Sequence, residues 1–543
     1  MSIQIYQQFS AYYHRSAIVI LLAGFLFRLV IATFLHPGYD EAYYYLYTLH
    51  PDWSYFDHPP LVSLTTGFGV WLTGNVSQFT IRIGSLLLYT GSLIFLYLAA
   101  LRLYTLQIAV VTLAIASAIP IFQLAFGTLT SPDTPLIFFW TISLWLATQE
   151  FFEYQGYRPS FRLSLLCLTI GLACLGKYHG FILCLSLLGF CLFSPTYRAV
   201  FRSKWFLIGI ILFLLTISPV LVWNSNHEWV SFLFQANRTV PQRGYYLDRA
   251  ILSLLVELVY LFPVFGIPLL WTVIRGTFQS IRAFRWQNFN SGSISRTEWD
   301  AEKRNLLLWL SAPLIFGFTF ISGYQQILPA WKMPAYYSAV ILLAERVVIS
   351  TRYSRSNISY RWFIGSIGTI IFLLSIALSH LTLGTFQTPS NSAIIGLLPI
   401  ATDNSTQLLD IQQLRQGFTN NPKLDSALKQ ADFVFTNRYY SGGQIAMAIE
   451  PVYHKPIECF DEDPRGFAFW SKANQWIGKN GLFIATTEFK AEQDAKDRYP
   501  EYFTKITKVG DIPIVRGGKI VQNFGIYQAK KMIKPFARPY GNR

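Results

Sequence analysis

Charge is scarce in this sequence. Of 543 residues, 13% are charged, about half the share found in an ordinary soluble domain. Hydrophobic residues make up 52% and aromatics 17%. Disorder needs the opposite balance and is excluded. Collagen-like and low-complexity readings fail too, because the 35 glycines and 26 prolines show no period. Cysteine is sparse. Four of the five, Cys167, Cys174, Cys184 and Cys191, lie in apolar segments, and Cys459 stands alone in the polar tail. That spacing suits neither zinc nor a CxxC redox pair, and it leaves the tail without an internal disulfide. Small buried hydrophobes are the expected role. No glycine-rich phosphate loop of the P-loop or dinucleotide type is present. No internal repeat is found, which weighs against an inverted-repeat transporter.

What is abundant is the long apolar run. A membrane-spanning helix needs about 20 apolar residues, and eleven candidate segments meet or approach that: 16–35, 80–103, 107–126, 134–151, 163–178, 180–194, 206–224, 251–274, 305–322, 333–349 and 362–384. The first has a long apolar stretch and no small-residue cleavage site behind it, so it is read as a retained helix rather than a signal peptide. The expected fold class is a multi-pass α-helical membrane protein with a small C-terminal α/β domain.

The net charge of +15 invites a nucleic-acid reading, but its distribution refuses one. Most of the excess lies in short loops between apolar segments, where Lys and Arg report topology. With the N-terminus placed in the cytoplasm, inside segments carry 17 basic residues and outside ones six, Arg82, Lys177, Arg238, Arg243, Arg249 and Lys332. The odd number of spans then puts the C-terminal segment outside the membrane. Arg28, inside the first span, is the costliest cation and is expected to face the bundle and pair with an acid.

The first outside loop, 36–79, has Asp40, Glu41, Asp52 and Asp57 and no Lys or Arg. Its stretch 61–72 is too short to span, so a helix at the membrane surface is expected. The division expected is 1–384 for the membrane part with this loop, 385–405 for a linker and 406–543 for the α/β domain. Within the last, strands are expected at 433–437, 456–460 and 482–487 and a helix at 439–449. A hairpin over 512–528 turns at Gly517-Gly518. Asp461-Glu462-Asp463 reads as a solvated acidic turn.

Three motifs could carry chemistry. Asp40-Glu41 sits in an aromatic setting just past the first helix. It is either a carboxylate base for an alcohol or a helix N-terminus whose acids favour the dipole. Asp57-His58-Pro59-Pro60 could orient a leaving group, bind a metal or hold a phosphate, though a zinc site needs three or four ligands. Ser131-Pro132-Asp133 is an N-cap or a third carboxylate on the same side.

These residues carry a resemblance. DEAYYYLYTLHPDWSYFDHPPL, followed by SPDTPL, resembles the membrane-embedded C-type glycosyltransferase superfamily. The branch is that of dolichyl-phosphate-mannose protein mannosyltransferases and bacterial aminoarabinose lipid A transferases. Gly176-Lys177-Tyr178, Tyr439-Tyr440 and Phe467-Ala468-Phe469-Trp470 add to the likeness. The resemblance implies an inverting transfer of a sugar from a polyprenyl phosphate to a protein, lipid or glycan acceptor at the outer face of a bacterial cytoplasmic membrane. Asp40 is then the base, with Glu41 beside it, and Asp133 matches the family's Asp of the second outer loop. Relatives place a basic residue after the Asp57 carboxylate; this chain has His58, which when neutral offsets less phosphate charge. The scarce outside cations Lys177, Arg238, Arg243 and Lys332 are the candidates for holding the phosphate. No cofactor is demanded, and a divalent metal is compatible with the carboxylates. The rival readings are a polytopic transporter or lipid-linked-sugar flippase, and a membrane-anchored binding module. The tail is expected to cover the site or select the acceptor.

Overall fold

The structure is a computed structural model that describes residues 3–153, 157–238, 240, 244–286, 296–353 and 358–541. In chain order the helices are α1 (Ile3–Phe34), α2 (Tyr39–Leu49), α3 (Leu61–Thr73), α4 (Ile83–Leu103), α5 (Leu106–Ala116), α6 (Asp133–Phe151), α7 (Phe161–Gly176) and α8 (Gly180–Phe193). They continue with α9 (Lys204–Asn226), α10 (Val230–Asn237), α11 (Leu247–Tyr260), α12 (Pro263–Trp286), α13 (Arg296–Trp309), α14 (Ala312–Ile321), α15 (Met333–Tyr353) and α16 (Ile358–Leu383). The chain forms two compact units. One comprises Met1–Leu29, His58–Leu61 and Ser85–Phe372; the other Val30–Asp57, Val62–Gly84 and Leu373–Arg543.

The first unit is helical. Across the described residues of the whole chain, seven helices are long and apolar enough to cross a membrane, or eight if the bent pair Gly180–Phe193 and Pro195–Arg202 is one span. Eleven were expected, and two of the expected segments are interrupted locally. The expected 107–126 span stops at Ala116, before Pro120, and resumes only as a wide turn over Phe122–Phe126. The 251–274 span breaks where Phe262 takes a φ of +63°. Pro263, which lacks the N–H a helix interior needs, then opens the next helix; the long apolar stretch is Pro263–Arg282.

Small residues let these helices approach. A Cβ on Gly209 of α9 would lie 2.7 Å from the Cys167 sulfur, and one on Gly171 of α7 would lie 2.9 Å from Thr216, the packing typical of membrane helices. Arg28 is fully buried, but its partners are not acids as expected. Its guanidinium donates to Gln123 Oε1 (2.9 Å) and Thr90 Oγ1 (3.0 Å) and lies over the Tyr89 ring.

The second unit is built on a five-stranded sheet: β1 (Phe433–Thr436), β2 (Ile457–Cys459), β3 (Gly481–Thr486), β4 (Phe503–Arg516) and β5 (Lys519–Met532). The order is β2-β1-β3-β5-β4. The first three strands run parallel, and β5 pairs antiparallel with both β3 and β4. The hairpin turns at Gly517 and Gly518, with φ of +57° and +71°, values that glycine adopts without strain. The helices here are α17 (Ile411–Thr419), α18 (Pro422–Gln430) and α19 (Tyr439–Tyr453). The stretch expected as a linker is partly ordered. Gln387–Thr388 pairs in parallel with Leu398–Pro399, and Arg516 reaches Asp403 at 2.5 Å.

Helix α2, from the acidic loop, shares a core with this sheet. Ala42, Tyr43 and Leu46 are buried in one cluster with Val434, Ile445, Leu482 and Phe524. The contact is backbone-close at Gly443 of α19, where a Cβ would come within 2.2 Å of the Ala42 carbonyl carbon. Gly443→Leu therefore overpacks a site that cannot give. It is expected to cost about 1–3 kcal/mol, read as a lower midpoint of thermal unfolding for the full-length protein.

Candidate active site

Gly38 caps α2 in an extended conformation, so Asp40 and Glu41 both fall in the first helical turn, where negative charge complements the exposed N–H groups. Their fates then diverge. Glu41 is buried and accepts Arg82 Nε at 2.8 Å and Arg82 Nη2 at 2.6 Å, a two-pronged pair. It also accepts the Gly38 N–H at 3.3 Å, closing a capping box. Arg82 is fully buried and uses its remaining N–H groups on the carbonyls of Ala32 (3.1 Å), Leu35 (2.5 Å) and His36 (3.3 Å). Those carbonyls lie at the end of α1, where a helix cannot satisfy its own acceptors. One guanidinium thus ties the end of α1 to the start of α2. Asp40, the next residue on the turn, is exposed. The helix-N-terminus reading holds for the pair, with Glu41 buried against Arg82 and Asp40 exposed.

Asp57 is buried and accepts a short hydrogen bond from the Tyr47 hydroxyl. Its second oxygen meets Arg465 at 3.2 Å. Arg465 also pairs with Asp463 at 3.0 Å and lies 4.4 Å from the Tyr439 ring centroid. Burial disfavours its charge, but Asp57, Tyr439 and Asp463 outweigh that and hold the guanidinium above its ordinary value. Burial raises the Tyr439 phenol to about 12, opposed by Arg465 and assisted by Asp40, Asp57 and Asp463. Asp461 is no solvated turn: it is buried and pairs with Arg438 at 3.0 Å. Sequence reasoning missed Arg465, although it lies two residues before the Phe467–Trp470 motif. His50 stacks on Trp470 at 4.7 Å, and burial pulls its imidazole down to about 4.

The first unit gathers the other candidates. Lys177 Nζ meets both oxygens of Asp133 at 2.8 Å, so this expected cation and this expected carboxylate neutralise each other. His179, not foreseen, is buried, stacks on Phe318 and meets Trp331 edge-on. Its Nε2 has no hydrogen-bond partner among the described residues. Lys177, His58 and Arg238 are all within electrostatic reach of it. Arg238 lies 4.9 Å from the Trp331 ring centroid. Lys332, expected as a loop cation, is fully buried and forms a short ion pair with Glu257. Hydrogen bonds to Ser253 (3.3 Å) and Thr319 (3.2 Å) complete its partners. Arg243 lies outside the described residues. No group of three or more His, Cys, Asp or Glu side chains is placed to hold a metal among the described residues.

Residues 57–223 match the family described as dolichyl-phosphate-mannose-protein mannosyltransferase. The apo structure of ArnT from Cupriavidus metallidurans aligns with a TM-score of 0.54 and 13% identity, covering 94% of this chain and 97% of that one. The fold is that of the membrane-embedded C-type glycosyltransferases. The same ArnT bound to undecaprenyl phosphate aligns with a TM-score of 0.53 at 13% identity over the same shares of both chains. The lipid A galacturonosyltransferase RgtD of Rhizobium johnstonii is 25% identical over 342 residues, 60% of this chain and 64% of the relative. The match thus spans just under two thirds of that relative's length. The family match takes in Asp57, His58, Asp133 and Lys177 and begins beyond Asp40.

Two outcomes follow for the C-type fold's acidic loop. Arg82→Ala strands Glu41 as a buried, unpaired carboxylate and is expected to cost about 3–5 kcal/mol of stability, measured by thermal unfolding, with Arg82→Lys intermediate. His50 is harder to protonate when folded, so its contribution to stability is present above 6.5 and is lost as pH falls from 6.5 toward 4. His50→Gln is expected to flatten the unfolding midpoint across that window.

Proposed function

We propose that this chain is an inverting glycosyltransferase, moving a sugar from a polyprenyl phosphate to an acceptor hydroxyl at the outer face of a bacterial cytoplasmic membrane. The observation that carries the reading is Asp40. It is an exposed carboxylate on a helix start that Glu41 and Arg82 lock in place, in a fold shared with a protein solved with undecaprenyl phosphate. In this reading the N-terminus is cytoplasmic and the unit containing α2 and the sheet is extracytoplasmic, which the excess of Lys and Arg in the alternate loops supports.

The chemistry needs two things. The acceptor hydroxyl must lose its proton as its oxygen attacks the anomeric carbon, and Asp40 takes that proton. The bond from that carbon to the phosphate oxygen then breaks, and polyprenyl phosphate departs with the electron pair and an added negative charge. Attack from the face opposite the phosphate inverts the centre. Stabilising the departing charge falls to Arg238 and, as a neutral N–H donor, His179, beside His58 and the Lys177–Asp133 pair. His179 Nε2, buried and unpartnered among the described residues, has a free position for an anion's oxygen. Lys332 has no such position, because Glu257 already answers its charge. The comparisons favour this reading over a transporter or flippase. Arg28 is held by neutral partners, and Lys332 and Glu257 answer each other, which leaves little for an ion relay.

With purified chain and a polyprenyl-phosphate sugar, Asp40→Asn is expected to lower turnover by about 10²–10⁴-fold without moving the unfolding midpoint. Wild-type release of polyprenyl phosphate by that variant would remove the assignment. His179→Ala is expected to lower kcat/KM for the donor by about tenfold or more while leaving acceptor KM unchanged.

A further inference from the structure

The sheet of the second unit has a topological switch point that the transfer reaction leaves unassigned. Strand β1 is followed by α19 and then β2 on one side, whereas β3 leads away toward β4 and β5 on the other. The connections leaving β1 and β3 therefore part, and open α/β sheets bind ligands outside the carboxyl ends of strands at such a switch point. What this chain places there is unusual. After β1 come Asn437, Arg438, Tyr439 and Tyr440; after β3 come Thr487, Glu488 and Phe489. Helix α19 begins here without a side-chain cap. Helix α2 contributes Tyr39, whose ring centroid lies 4.7 Å from that of Tyr440 and 6.2 Å from that of Phe489. Tyr440 and Phe489 are 5.4 Å apart. All three rings are half-buried rather than sealed in the core, and Glu488 beside them is exposed, as is Asp40.

Polar groups surround the rings. The Tyr39 phenol feels Glu488 and Tyr440, and the Tyr440 phenol feels Arg438, Asp461 and Glu488. Beneath them, at the strand ends and in the first turn of α19, Thr436 Oγ1, Asn437 Oδ1, Ser441 Oγ and Thr486 Oγ1 have no hydrogen-bond partner among the described residues. Each of these side chains is at least 98% buried. Buried polar atoms without partners are rare and need an explanation; four at one strand edge indicate a site that accepts polar groups.

Resting on the transferase reading, we infer that this switch point carries the acceptor subsite and that the acceptor group it selects is a pyranose ring. A pyranose has an apolar C–H face and a rim of hydroxyls. The aromatic triad suits the face, and Glu488, Arg438 and the phenols suit the rim. A serine or threonine in a peptide offers neither a stacking face nor a ring of hydroxyls. Tyr39 directly precedes Asp40, so a ring stacked against Tyr39 and Tyr440 holds a hydroxyl beside the carboxylate that deprotonates it. The tail thereby decides what is glycosylated, and the membrane part decides what is donated.

The test uses the full chain in lipid nanodiscs, free of sugar detergents, and no donor. Saturation-transfer NMR is run with the disaccharide N,N′-diacetylchitobiose and with a Gly-Ser-Gly peptide amide. Transfer to the sugar C–H protons is expected in the wild type, about tenfold weaker in Tyr440→Ala and retained in Tyr440→Phe. Glu488→Ala, at an exposed position, is expected to weaken it too, and serves if Tyr440→Ala proves unstable. A peptide signal without a sugar signal, no signal from either probe, or a sugar signal indifferent to both alanine variants overturns the proposal. Release of polyprenyl phosphate from donor lipid by the same preparation reports separately on the transferase reading, so the two can fail independently.

Discussion

The arrangement depends on one buried ion pair. Arg82 and Glu41 are separated by 41 positions in sequence and meet through two hydrogen bonds. A buried pair of this kind is worth little as net stability, because desolvating both charges offsets most of their attraction. Its value here is geometric. The same guanidinium satisfies the last carbonyls of α1, and the same carboxylate caps α2, so the chain passes from one helix to the next within a few residues. Remove either partner and the other is left charged inside the protein. Asp40, exposed on the same helical turn, inherits its position from this clamp.

The remaining charges divide by what surrounds them. Lys332 and Glu257 pair inside the helical unit and are closed to any ligand. Lys177 is also paired, with Asp133, and shares its neighbourhood with His179, which stacks on Phe318, and with Arg238, which lies over Trp331. In the sheet-bearing unit Asp57, Asp461 and Asp463 are matched by Arg465 and Arg438, and Asp40 is exposed.

Much of this could be read from the residues. The strands at 433, 457 and 481, the helix from 439 and the hairpin turning at Gly517-Gly518 follow from alternation and turn chemistry, which are local. The helix from Leu61 and the acidic first turn of α2 are equally local. What escaped the reading is long-range or depends on a single backbone angle. Nothing near Arg82 announces Glu41, and nothing near Asp57 announces Arg465, 408 positions away. Lys332 looks like a loop cation until Glu257, on a helix of mostly apolar residues, is found against it. The helix break at Phe262 needs a positive φ that its residue type disfavours. His179 was passed over because a lone histidine between apolar helices carries no pattern; its unpartnered Nε2 shows only in three dimensions.

The most direct measurement of the central claim is mass spectrometry of a complete reaction, with purified chain, a polyprenyl-phosphate hexose and a glycolipid extract of bacterial envelope. The account predicts free polyprenyl phosphate in step with a glycolipid heavier by one sugar residue, attached with the anomeric configuration opposite to that of the donor. Intact donor lipid carried across a vesicle membrane with no covalent product would contradict it.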